Sequence, residues 1–461
     1  MSRVLLLLTY VPAPLQKACP GALANFLLVR APFALLCVWT LVCSTAQATE
    51  GGNLQAQASA ASPGPASEVG EGQSLAALGA CGACHSVPNE PSYSGGRPLQ
   101  TPYGTIYSTN LTPDRATGIG NWSYDTFARA MREGIGADGQ RLYPAFPYDH
   151  FTLTREEDLK ALYAFLFSLE PVPKTVPANR LDFPWNVRQL LAIWDALYLK
   201  PGTFEADTTK SANYNRGSYL VQSLGHCGSC HTPRNVFGAE DRGSVLSGAR
   251  LEGWYAPALN AQSPSPAPWS AKQMTQYLRE GIAPDHAMAA GPMQSVVASL
   301  QEASQDDVAA MAVYLTSLMN AVEASQRRQW QDNAERASRG LLNSPAPEAR
   351  VTREGAAVYA GSCATCHEQG RLASSSSGLP LPLAIALYDP DPRSFLRIVR
   401  EGINPLPGER GRWMPAFDGL LTKEELKALA TYLRRYAAAL PEWSDFDRAI
   451  EDSSVERPPV P

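Results

Sequence analysis

Apolar residues recur at helical spacing in three similar stretches of the chain. Within each stretch they follow one another three or four positions apart, so that one face of a helix is apolar and the other polar. The matched positions are Leu159, Leu162 and Leu166, then Val308, Met311 and Leu315, then Leu426, Leu429 and Leu433. The pattern predicts amphipathic helices over 158–166, 307–315 and 425–433, each of which buries one face.

A second predicted helix precedes each of these closing helices and ends in the same four residues, Arg-Glu-Gly-Ile. A glycine directly after the last helical turn stops a helix, because glycine tolerates a positive φ. The tetrapeptides occupy 132–135, 279–282 and 400–403. A short helical stretch also opens each segment, at 74–78, 217–221 and 355–359. The fold class is therefore predicted to be mainly α, with one three-helix unit repeated three times.

The repeats divide the chain into three predicted domains. The first, second and third repeats are residues 71–175, 211–320 and 351–440. The segment 176–210 between the first two begins with prolines and continues in a predicted helix over 185–199 that is rich in aromatic and aliphatic residues. Such a helix either packs between domains or meets a membrane surface or a partner subunit.

The other segments have simpler compositions. Residues 321–350 alternate in charge and predict a solvated connecting helix. Residues 441–461 form an acidic tail that ends in prolines, and residues 49–70 are rich in Ala, Ser, Gly and Pro, which predicts a flexible lead-in. The net charge of the whole chain is −5, and the absence of a basic tract in the sequence argues against a nucleic-acid partner.

Cysteine usage adds the chemistry. Six of the nine cysteines lie in three Cys-x-x-Cys-His motifs, each just after an opening stretch. In this motif two thiols form thioether bonds to a haem, and the adjacent imidazole takes the proximal position on the iron. The thiols are Cys81, Cys84, Cys227, Cys230, Cys363 and Cys366, and the imidazoles are His85, His231 and His367. Three haems c are therefore predicted, one in each repeat.

The alternatives for paired cysteines are disulfides, a zinc site and a thioredoxin-like redox pair. Zinc needs two Cys-x-x-Cys units that share one ion, but these motifs lie 146 and 136 residues apart (227−81 and 363−227). None of the alternatives requires the histidine that follows each pair. The other cysteines, Cys19, Cys37 and Cys43, all precede the repeats, so the mature protein is predicted to hold no free thiol.

The first 48 residues are typical of an export signal. Arg30 precedes an apolar run over 31–43, and Ala-Gln-Ala at 46–48 suits signal peptidase. The alternative is a retained membrane anchor, but the run is short for a spanning helix. Because bacteria attach haem c outside the cytoplasmic membrane, the predicted location is the periplasmic face of that membrane.

A haem c commonly has a sixth ligand, and a methionine thioether raises its reduction potential relative to histidine. Met414 lies between the middle and closing helices of the third repeat and is the candidate there. Met293 is the candidate in the second repeat, with Met288 as its rival. A proline beside each of Met414 and Met293, in what is predicted to be a loop, would stiffen the approach to the iron. The alternative for each is an ordinary core methionine.

The first repeat has no methionine in the corresponding interval. His150 lies there and would give bis-histidine ligation at a lower potential. Met131 is predicted to pack in the core, Tyr143 aligns with Met414 as a weaker option, and an iron without a sixth protein ligand remains open. His226 and His286 have no motif and are predicted to make local hydrogen bonds or lie on the surface.

Several longer stretches carry a family resemblance. They are Ser-Thr-Asn-Leu-Thr-Pro-Asp at 108–114, Thr-Gly-Ile-Gly-Asn-Trp-Ser at 117–123, Tyr-Pro-Ala-Phe-Pro-Tyr at 143–148, Gly-His-Cys-Gly-Ser-Cys-His-Thr-Pro-Arg at 225–234 and Gly-Trp-Tyr-Ala-Pro at 253–257. Together they resemble the triple-haem cytochrome c subunits of bacterial membrane-bound dehydrogenases. Alcohol-dehydrogenase members usually carry a methionine where Phe146 stands. The pattern from Phe146 to His150 and the Gly-Pro-Met at 291–293 lean towards members that serve molybdenum hydroxylases of N-heterocycles.

The resemblance implies three tandem class-I-like cytochrome c domains. It also implies a catalytic partner subunit (a molybdenum enzyme, quinoprotein or flavoprotein), attachment at a membrane surface, and delivery of electrons to ubiquinone or a terminal oxidase. The sequence carries no nucleotide-binding glycine fingerprint and no recognisable catalytic triad. The chain is therefore expected to relay electrons and not to transform a substrate. The alternatives are a self-contained haem enzyme, such as a peroxidase, and a stand-alone soluble electron shuttle.

Overall fold

The computed structural model describes residues 66–251, 253–284, 286–368, 378–406 and 414–455. These residues belong to one compact unit. The predicted signal peptide (1–48), with its three cysteines, and residues 49–65 of the lead-in lie outside the described residues.

Helices dominate the structure, and short antiparallel hairpins lie between them. The helices are α1 Ala66–Leu78, α2 Cys81–His85, α3 Tyr124–Glu133, α4 Tyr148–Phe151, α5 Glu156–Ser168, α6 Leu191–Tyr198, α7 Ala212–Gln222, α8 Gly228–His231, α9 Ala271–Glu280, α10 Pro292–Leu300, α11 Gln305–Met319, α12 Ala324–Arg339, α13 Arg350–Val358, α14 Ala364–His367, α15 Arg393–Glu401, α16 Lys423–Tyr436 and α17 Phe446–Val455. The strands are β1 Pro98–Thr101, β2 Gly104–Tyr107, β3 Arg180–Leu181, β4 Ala249–Leu251, β5 Trp254–Ala256, β6 Ile282–Ala283 and β7 Ala287–Met288. The prediction of a helix-rich chain is confirmed.

The hairpins pair within single repeats, with one exception. Strands β1, β2 and β3 form an antiparallel sheet in that order, and β4–β5 and β6–β7 are two-stranded hairpins. Strand β3 belongs to the connecting segment and pairs with β2, with Thr105 opposite Arg180. The connecting segment is therefore tied to the first repeat by backbone hydrogen bonds.

The opening and closing helices of each repeat cross at a glycine. A Cβ atom added at Gly72 or Gly217 would lie 1.9 Å from a carbonyl oxygen of the closing helix, and one added at Gly355 would lie 2.1 Å from it. The facing residues are Ala161, Ala310 and Ala428, at matched positions of α5, α11 and α16. Only glycine allows two helix backbones to approach this closely. The same helix crossing therefore occurs three times.

The predicted stops of the middle helices are confirmed. Gly134, Gly281 and Gly402 follow α3, α9 and α15 with φ of 65°, 73° and 73°. At the other ends of α3 and α9, the Ser123 and Ser270 side chains accept hydrogen bonds from backbone N–H groups of the first turn, as N-caps do. The middle helices thus have defined ends, and the residues that follow each one start at a fixed point.

The first and second repeats pack against each other with reciprocal contacts. The backbone N–H of Arg155, at the start of α5, donates to the Tyr219 hydroxyl on α7 at 3.0 Å. The backbone N–H of Ser304, at the start of α11, donates to Ser74 Oγ on α1 at 2.8 Å. Both repeats also contribute to a single apolar core. Each closing helix is thereby fixed by the opening helix of the other repeat.

The second repeat also contacts the third. The backbone N–H of Tyr255 donates to Ser394 Oγ at 3.1 Å, and that hydroxyl donates back to the Tyr255 carbonyl at 2.9 Å. Arg250 forms ion pairs with Asp391 and Asp445. The hairpin β4–β5 of the second repeat is therefore fixed against α15, and the second repeat contacts both of the others.

Three details differ from the sequence predictions. Helix α12 is not fully solvated, because Trp330 Nε1 donates to the Ser265 carbonyl at 2.8 Å and Arg336 Nε donates to the Ala437 carbonyl at 3.2 Å. Residues 66–70 of the lead-in already belong to α1. The acidic tail contains helix α17, whose Phe446 and Ala449 are buried in the core of the third repeat. Sequence patterns missed these because tertiary contacts stabilise the segments.

In the described part of the chain, no single helix is both long and apolar enough to cross a membrane. Helices α11 and α12 are long and apolar enough only when taken together, and they are bent by 111° relative to each other.

Candidate haem attachment sites

Each Cys-x-x-Cys-His motif lies on a single helical turn close behind the opening helix. The turns are α2, α8 with Cys227 directly before it, and α14 with Cys363 directly before it at the end of a π-helical turn over Tyr359–Cys363. All six described cysteines are free thiols. Cys81, Cys227 and Cys363 are half-buried. Cys81 and Cys227 pack against the apolar core that the first two repeats share, and Cys363 packs against the core of the third. A helical turn brings the two sulfurs of a motif to one side, where they can reach the two vinyl groups of one porphyrin.

The histidine of each motif is oriented in the same way. Its Nδ1 atom lies 2.6 Å from the Thr109 carbonyl in His85, 2.6 Å from the Pro257 carbonyl in His231 and 2.8 Å from the Leu379 carbonyl in His367. A carbonyl can only accept, so Nδ1 carries the proton and donates it. This leaves the Nε2 lone pair for a metal, and such a hydrogen bond from the other ring nitrogen is typical of metal-ligating histidines.

The protonation states fit the same role. Burial lowers the pKa of His85, His231 and His367 below the ordinary value, against the opposing effect of the backbone carbonyls. The imidazoles are therefore neutral at pH 7, which is the form that binds iron. Two thiols and one oriented neutral imidazole in each motif fit haem c, and the same arrangement occurs three times.

Two observations bear on which residue of the second repeat could be the sixth ligand of a haem, and they point to different residues. Met288 pairs with Ile282 across β6–β7, just as Met414 pairs with Ile403 in the third repeat, so Met288 is the backbone counterpart of Met414. Met293 instead lies in the first turn of α10, which corrects the expectation that it lies in a loop. However, the Met293 side chain packs against the same apolar core as Cys227.

The third repeat favours the position of the side chain, and not backbone pairing, as the criterion for the sixth ligand. There the Met414 side chain packs against the same core as Cys363, as Met293 does with Cys227. A ligand is defined by where its side chain lies, and backbone pairing alone does not fix that. Met293 is therefore the preferred candidate for the sixth ligand in the second repeat, before Met288. Met414 is the candidate in the third repeat.

The first repeat fills these positions differently. Arg141 pairs with Ile135 and is thus the backbone counterpart of Met288 and Met414, a place that motif alignment gave to Tyr143. Its guanidinium forms an ion pair with the buried Asp195, which also accepts a hydrogen bond from the Tyr148 hydroxyl at 2.6 Å. Tyr143 instead lies beneath the guanidinium of Arg188. Both side chains are therefore engaged by other residues, and neither Arg141 nor Tyr143 is a candidate iron ligand.

Phe146 packs against the apolar core that also contacts Cys81, as Met293 does with Cys227. Met131, on α3, is buried in this core, which confirms its predicted packing role. Among the described residues of the first repeat, no methionine lies between the middle and closing helices, which is where Met293 and Met414 lie in the other two.

The structure argues against His150 as an iron ligand. Its Nδ1 lies 2.8 Å from the Gln222 carbonyl, and its Nε2 lies 2.8 Å from Glu240 Oε1. With both ring nitrogens engaged, no lone pair is available for iron. The prediction placed His150 correctly between the middle and closing helices, but it could not foresee that this segment faces the second repeat.

His150 and Glu240 form a half-buried pair. Burial alone would lower the pKa of His150, but the hydrogen bond and charge of Glu240 outweigh it and raise the pKa above the ordinary value. The pKa of Glu240 is lowered, because its interactions with His150 outweigh the opposing effect of burial. Asp149 lies close enough for the three residues to bring ligand atoms within 4.8 Å of one another. Since His150 already uses both nitrogens, the group is best described as an ion pair between the repeats.

The other two histidines differ from each other. His226 Nε2 lies 3.2 Å from the Gly79 carbonyl, so His226 makes a hydrogen bond as predicted, but with a residue 147 positions away and not with a local one. His286 is 1% exposed and stacks on Trp269 at 3.9 Å between ring centroids, so the expectation of a surface position is wrong. Neither of its ring nitrogens has a hydrogen-bond partner among the described residues.

The attachment peptides of the first two repeats touch each other. The Gly79 carbonyl accepts the hydrogen bond from His226 Nε2. Gly79 lies two residues before Cys81, and His226 directly precedes Cys227. A Cβ atom at Gly228 would lie 2.9 Å from His150 Cε1, and α10 of the second repeat contacts both α1 and α2 of the first. The two motifs therefore lie back to back across the contact between the repeats.

Comparison with known proteins supports a cytochrome assignment. Residues 350–433, which contain the third motif, match the family model of cytochrome c oxidase, cbb3-type, subunit III. The chain is 38% identical over 387 residues to the gluconate 2-dehydrogenase cytochrome c subunit of Pantoea cypripedii, which covers 79% of this chain and 85% of that protein. It belongs to the family of cytochrome c subunits of membrane-bound dehydrogenases.

Other relatives extend the range of partner enzymes. The fructose dehydrogenase cytochrome subunit of Gluconobacter japonicus is 35% identical over 401 residues, covering 83% of this chain and 82% of the relative. A nicotinate dehydrogenase subunit of Pseudomonas putida is 42% identical over 380 residues, or 81% of this chain. The chain spans only 30% of the length of that relative. The family relationship therefore supports covalently bound haem in this cytochrome c subunit.

Proposed function

We propose that this cytochrome c subunit carries three covalently bound haems c and relays electrons from a dehydrogenase catalytic subunit to ubiquinone or a terminal oxidase. The observation that carries the proposal is the threefold arrangement of two thiols and one histidine whose Nδ1 is held by a backbone carbonyl. Haem c supplies reversible one-electron chemistry at iron when bound.

The chain's own residues would set the environment of each iron. Cys81 and Cys84 of the first motif, and their counterparts in the others, hold the porphyrin, and the carbonyl bonded to each Nδ1 fixes the orientation of the imidazole. Met293 and Met414 would supply thioethers, which raise the reduction potential. Because the first repeat has Phe146 in the corresponding place, we expect its haem to have the lowest potential.

The packing of the repeats supports an electron route in which the second haem is central. Its repeat contacts the first through the back-to-back attachment peptides and the third through β4–β5. A chain of three haems in this order would connect two distant docking sites. One would receive electrons from the catalytic subunit and the other would deliver them to the acceptor.

The relatives and the N-terminal sequence support our proposals for the partner and the location. The relatives act with gluconate, fructose, alcohol and nicotinate dehydrogenases, and we propose a partner of this kind at the periplasmic face of the cytoplasmic membrane. The identity to the nicotinate dehydrogenase relative, together with the residues from Phe146 to His150, favours an enzyme that oxidises N-heterocycles.

A haem count and a reduction assay test the proposal. A pyridine haemochrome assay on the purified full chain is expected to return three haems c, and replacing both cysteines of one motif with serine should remove one haem. The purified catalytic subunit with its substrate should then reduce all three. Fewer than three haems in the wild type, or no reduction by the partner, would contradict the relay.

The same purified proteins distinguish the relay from the two alternatives, a self-contained haem enzyme and a stand-alone electron shuttle. A self-contained haem enzyme would oxidise or reduce a substrate without the catalytic subunit. A stand-alone shuttle would purify without a partner and would gain no reduction rate when the catalytic subunit is added. Under the relay proposal, reduction by substrate depends on the catalytic subunit.

A further inference from the structure

Helix α6 in the connecting segment has the opposite amphipathicity from an ordinary surface helix. Its exposed residues are all apolar, namely Ala192, Ile193, Ala196 and Leu197. Its single charged residue, Asp195, is turned inward, where it binds Arg141 and the Tyr148 hydroxyl. A helix that faces water keeps its charges outside and its apolar residues inside. The outward face of α6 therefore suits an apolar environment.

The apolar surface continues beyond α6. Leu190 directly precedes the helix and is exposed, as are Phe183 in the same segment and Val236 and Phe237 in a loop of the second repeat. Trp194 Nε1, on the inward side of α6, donates to the Phe237 carbonyl at 3.0 Å, so the loop is fixed beside the helix. We define Phe183, Leu190, Ile193, Leu197, Val236 and Phe237 as the α6 patch. Grouped exposed apolar side chains mark an interaction site, whereas single ones do not.

The α6 patch lies in a basic surrounding on an acidic chain. Residues 180–200 and 234–242 hold five basic and four acidic side chains, while the whole chain has a net charge of −5. Two of the four acids are turned inward, Asp195 onto Arg141 and Glu240 onto His150. The five basic residues are Arg180, Arg188, Lys200, Arg234 and Arg242. Arg234 is paired with Glu240, so the outward charge depends on Arg180, Arg188, Lys200 and Arg242 against Asp182 and Asp241, and it is positive.

We propose that the α6 patch docks this subunit on the surface of an anionic phospholipid bilayer. An apolar helix face flanked by basic side chains is the arrangement by which interfacial helices enter the boundary between headgroups and acyl chains. The inference rests on the proposed function, because a relay that delivers electrons to a membrane quinone must lie at the bilayer. It adds which surface makes the contact.

Flotation with lipid vesicles tests the docking. The purified mature chain with its haems is mixed with vesicles of phosphatidylethanolamine and phosphatidylglycerol, or of phosphatidylcholine alone. We expect the wild type to float with the anionic vesicles and to bind less strongly in high salt. The double variant Ile193→Gln/Leu197→Gln should bind about tenfold more weakly or worse, because two apolar side chains no longer enter the lipid.

A matched control separates loss of the patch from general loss of apolar surface. Leu420→Gln removes an exposed leucine of the third repeat that is 72% exposed, comparable with Leu197 at 63%, and should leave vesicle binding unchanged. Because the replaced side chains are already exposed, all variants should keep the haem absorbance and unfolding temperature of the wild type.

Three results would overturn the docking. One is a wild type that binds neither kind of vesicle, and another is a double variant that binds as well as the wild type. The third is a double variant that keeps vesicle binding but no longer associates with the catalytic subunit, which would make the patch a protein interface. Haem content and reduction by the partner are measured on the same samples, so failure of the relay is detected separately from failure of the docking.

Discussion

The carbonyl that binds each motif histidine determines which ring nitrogen can bind iron. Thr109, Pro257 and Leu379 each accept from Nδ1, so Nε2 remains for the metal in all three repeats. His150 shows the contrasting case, since a carbonyl and a carboxylate engage both of its nitrogens. His150 and the three motif histidines thus differ in their capacity to bind a metal through their hydrogen-bond partners.

Substitution of the methionines tests the sixth ligands. We expect Met293→Leu and Met414→Leu each to remove the sulfur-to-iron absorption band of one haem and to lower its potential, because a thioether stabilises reduced iron. A redox titration followed by absorption spectroscopy measures both effects. Met288→Leu is the matched control and should leave both haems unchanged. If Met288→Leu instead removes the band of the second haem, the ligand follows the backbone pairing with Ile282 and Met293 is a core residue.

The pair between His150 and Glu240 predicts a pH-dependent contribution to stability. The folded-state pKa of His150 is raised, so the stabilisation is complete below the ordinary value of 6.5 and is lost as pH rises through the folded-state pKa. We expect His150→Gln to lower the free energy of unfolding by about 2 kcal/mol near pH 6, and by less near pH 9. Chemical denaturation at the two pH values measures the difference.

Glu240→Gln serves as the partner variant in this test. It should show the same pH dependence, and the double variant should cost little more than either single one, since the interaction can be lost only once. An equal loss of stability at both pH values would mean that His150 acts through packing and not through its charge.

At the scale of elements, each repeat depends on the crossing of its opening and closing helices. Gly72, Gly217 and Gly355 allow the helix backbones to touch, and the apolar stripes of the closing helices are buried around that contact. The crossing also fixes where the attachment turn begins, because α2 and α8 follow closely behind α1 and α7. The position of each attachment turn is therefore coupled to a backbone contact.

Two glycines of α1 give a matched test of the crossing. Gly72→Ala would place a methyl group 1.9 Å from the Ala161 carbonyl oxygen, whereas Gly70→Ala meets nothing within 4 Å. We expect Gly72→Ala to destabilise the protein by about 3 kcal/mol or more, through forced separation of α1 and α5. Gly70→Ala should be neutral or stabilising by up to about 1 kcal/mol, because alanine favours the helix. Thermal unfolding compares the two, and equal behaviour would show that the helices separate without cost.

At the scale of the whole molecule, the second repeat joins the other two. It shares a core and reciprocal hydrogen bonds with the first, and it contacts the third through Tyr255 and Arg250. Helix α12 also links the second and third repeats, since Trp330 contacts the second and Arg336 contacts the third. The three repeats are thus expected to act as one electron-transfer body.

Removal of the second haem tests this arrangement. In the variant Cys227→Ser/Cys230→Ser, the two outer haems should still bind, but one of them should stay oxidised after the catalytic subunit has reduced the other. The reason is that electron transfer slows steeply once the central carrier is missing. Rapid-mixing absorption spectroscopy with substrate and catalytic subunit follows both haems. Reduction of both outer haems at the wild-type rate would show that the route bypasses the second repeat.

The sequence by itself determined the repeating helices, the helix stops and the attachment residues, because each depends on short-range spacing. Leu159, Leu162 and Leu166 bury one helix face wherever the helix packs, Gly134 stops its helix locally, and two cysteines with a histidine occupy one helical turn. Glycines such as Gly72 were visible too, but their role at a crossing requires knowledge of the facing helix.

Tertiary structure decided the features that depend on contacts between distant residues. The partners of His150 are 72 and 90 residues away, so no local pattern could show that both nitrogens are engaged. The same holds for the inverted face of α6, where Asp195 faces inward because Arg141 and Tyr148 are there to bind it. Spacing along the chain fixes what a helix can present, and only the fold decides what it meets.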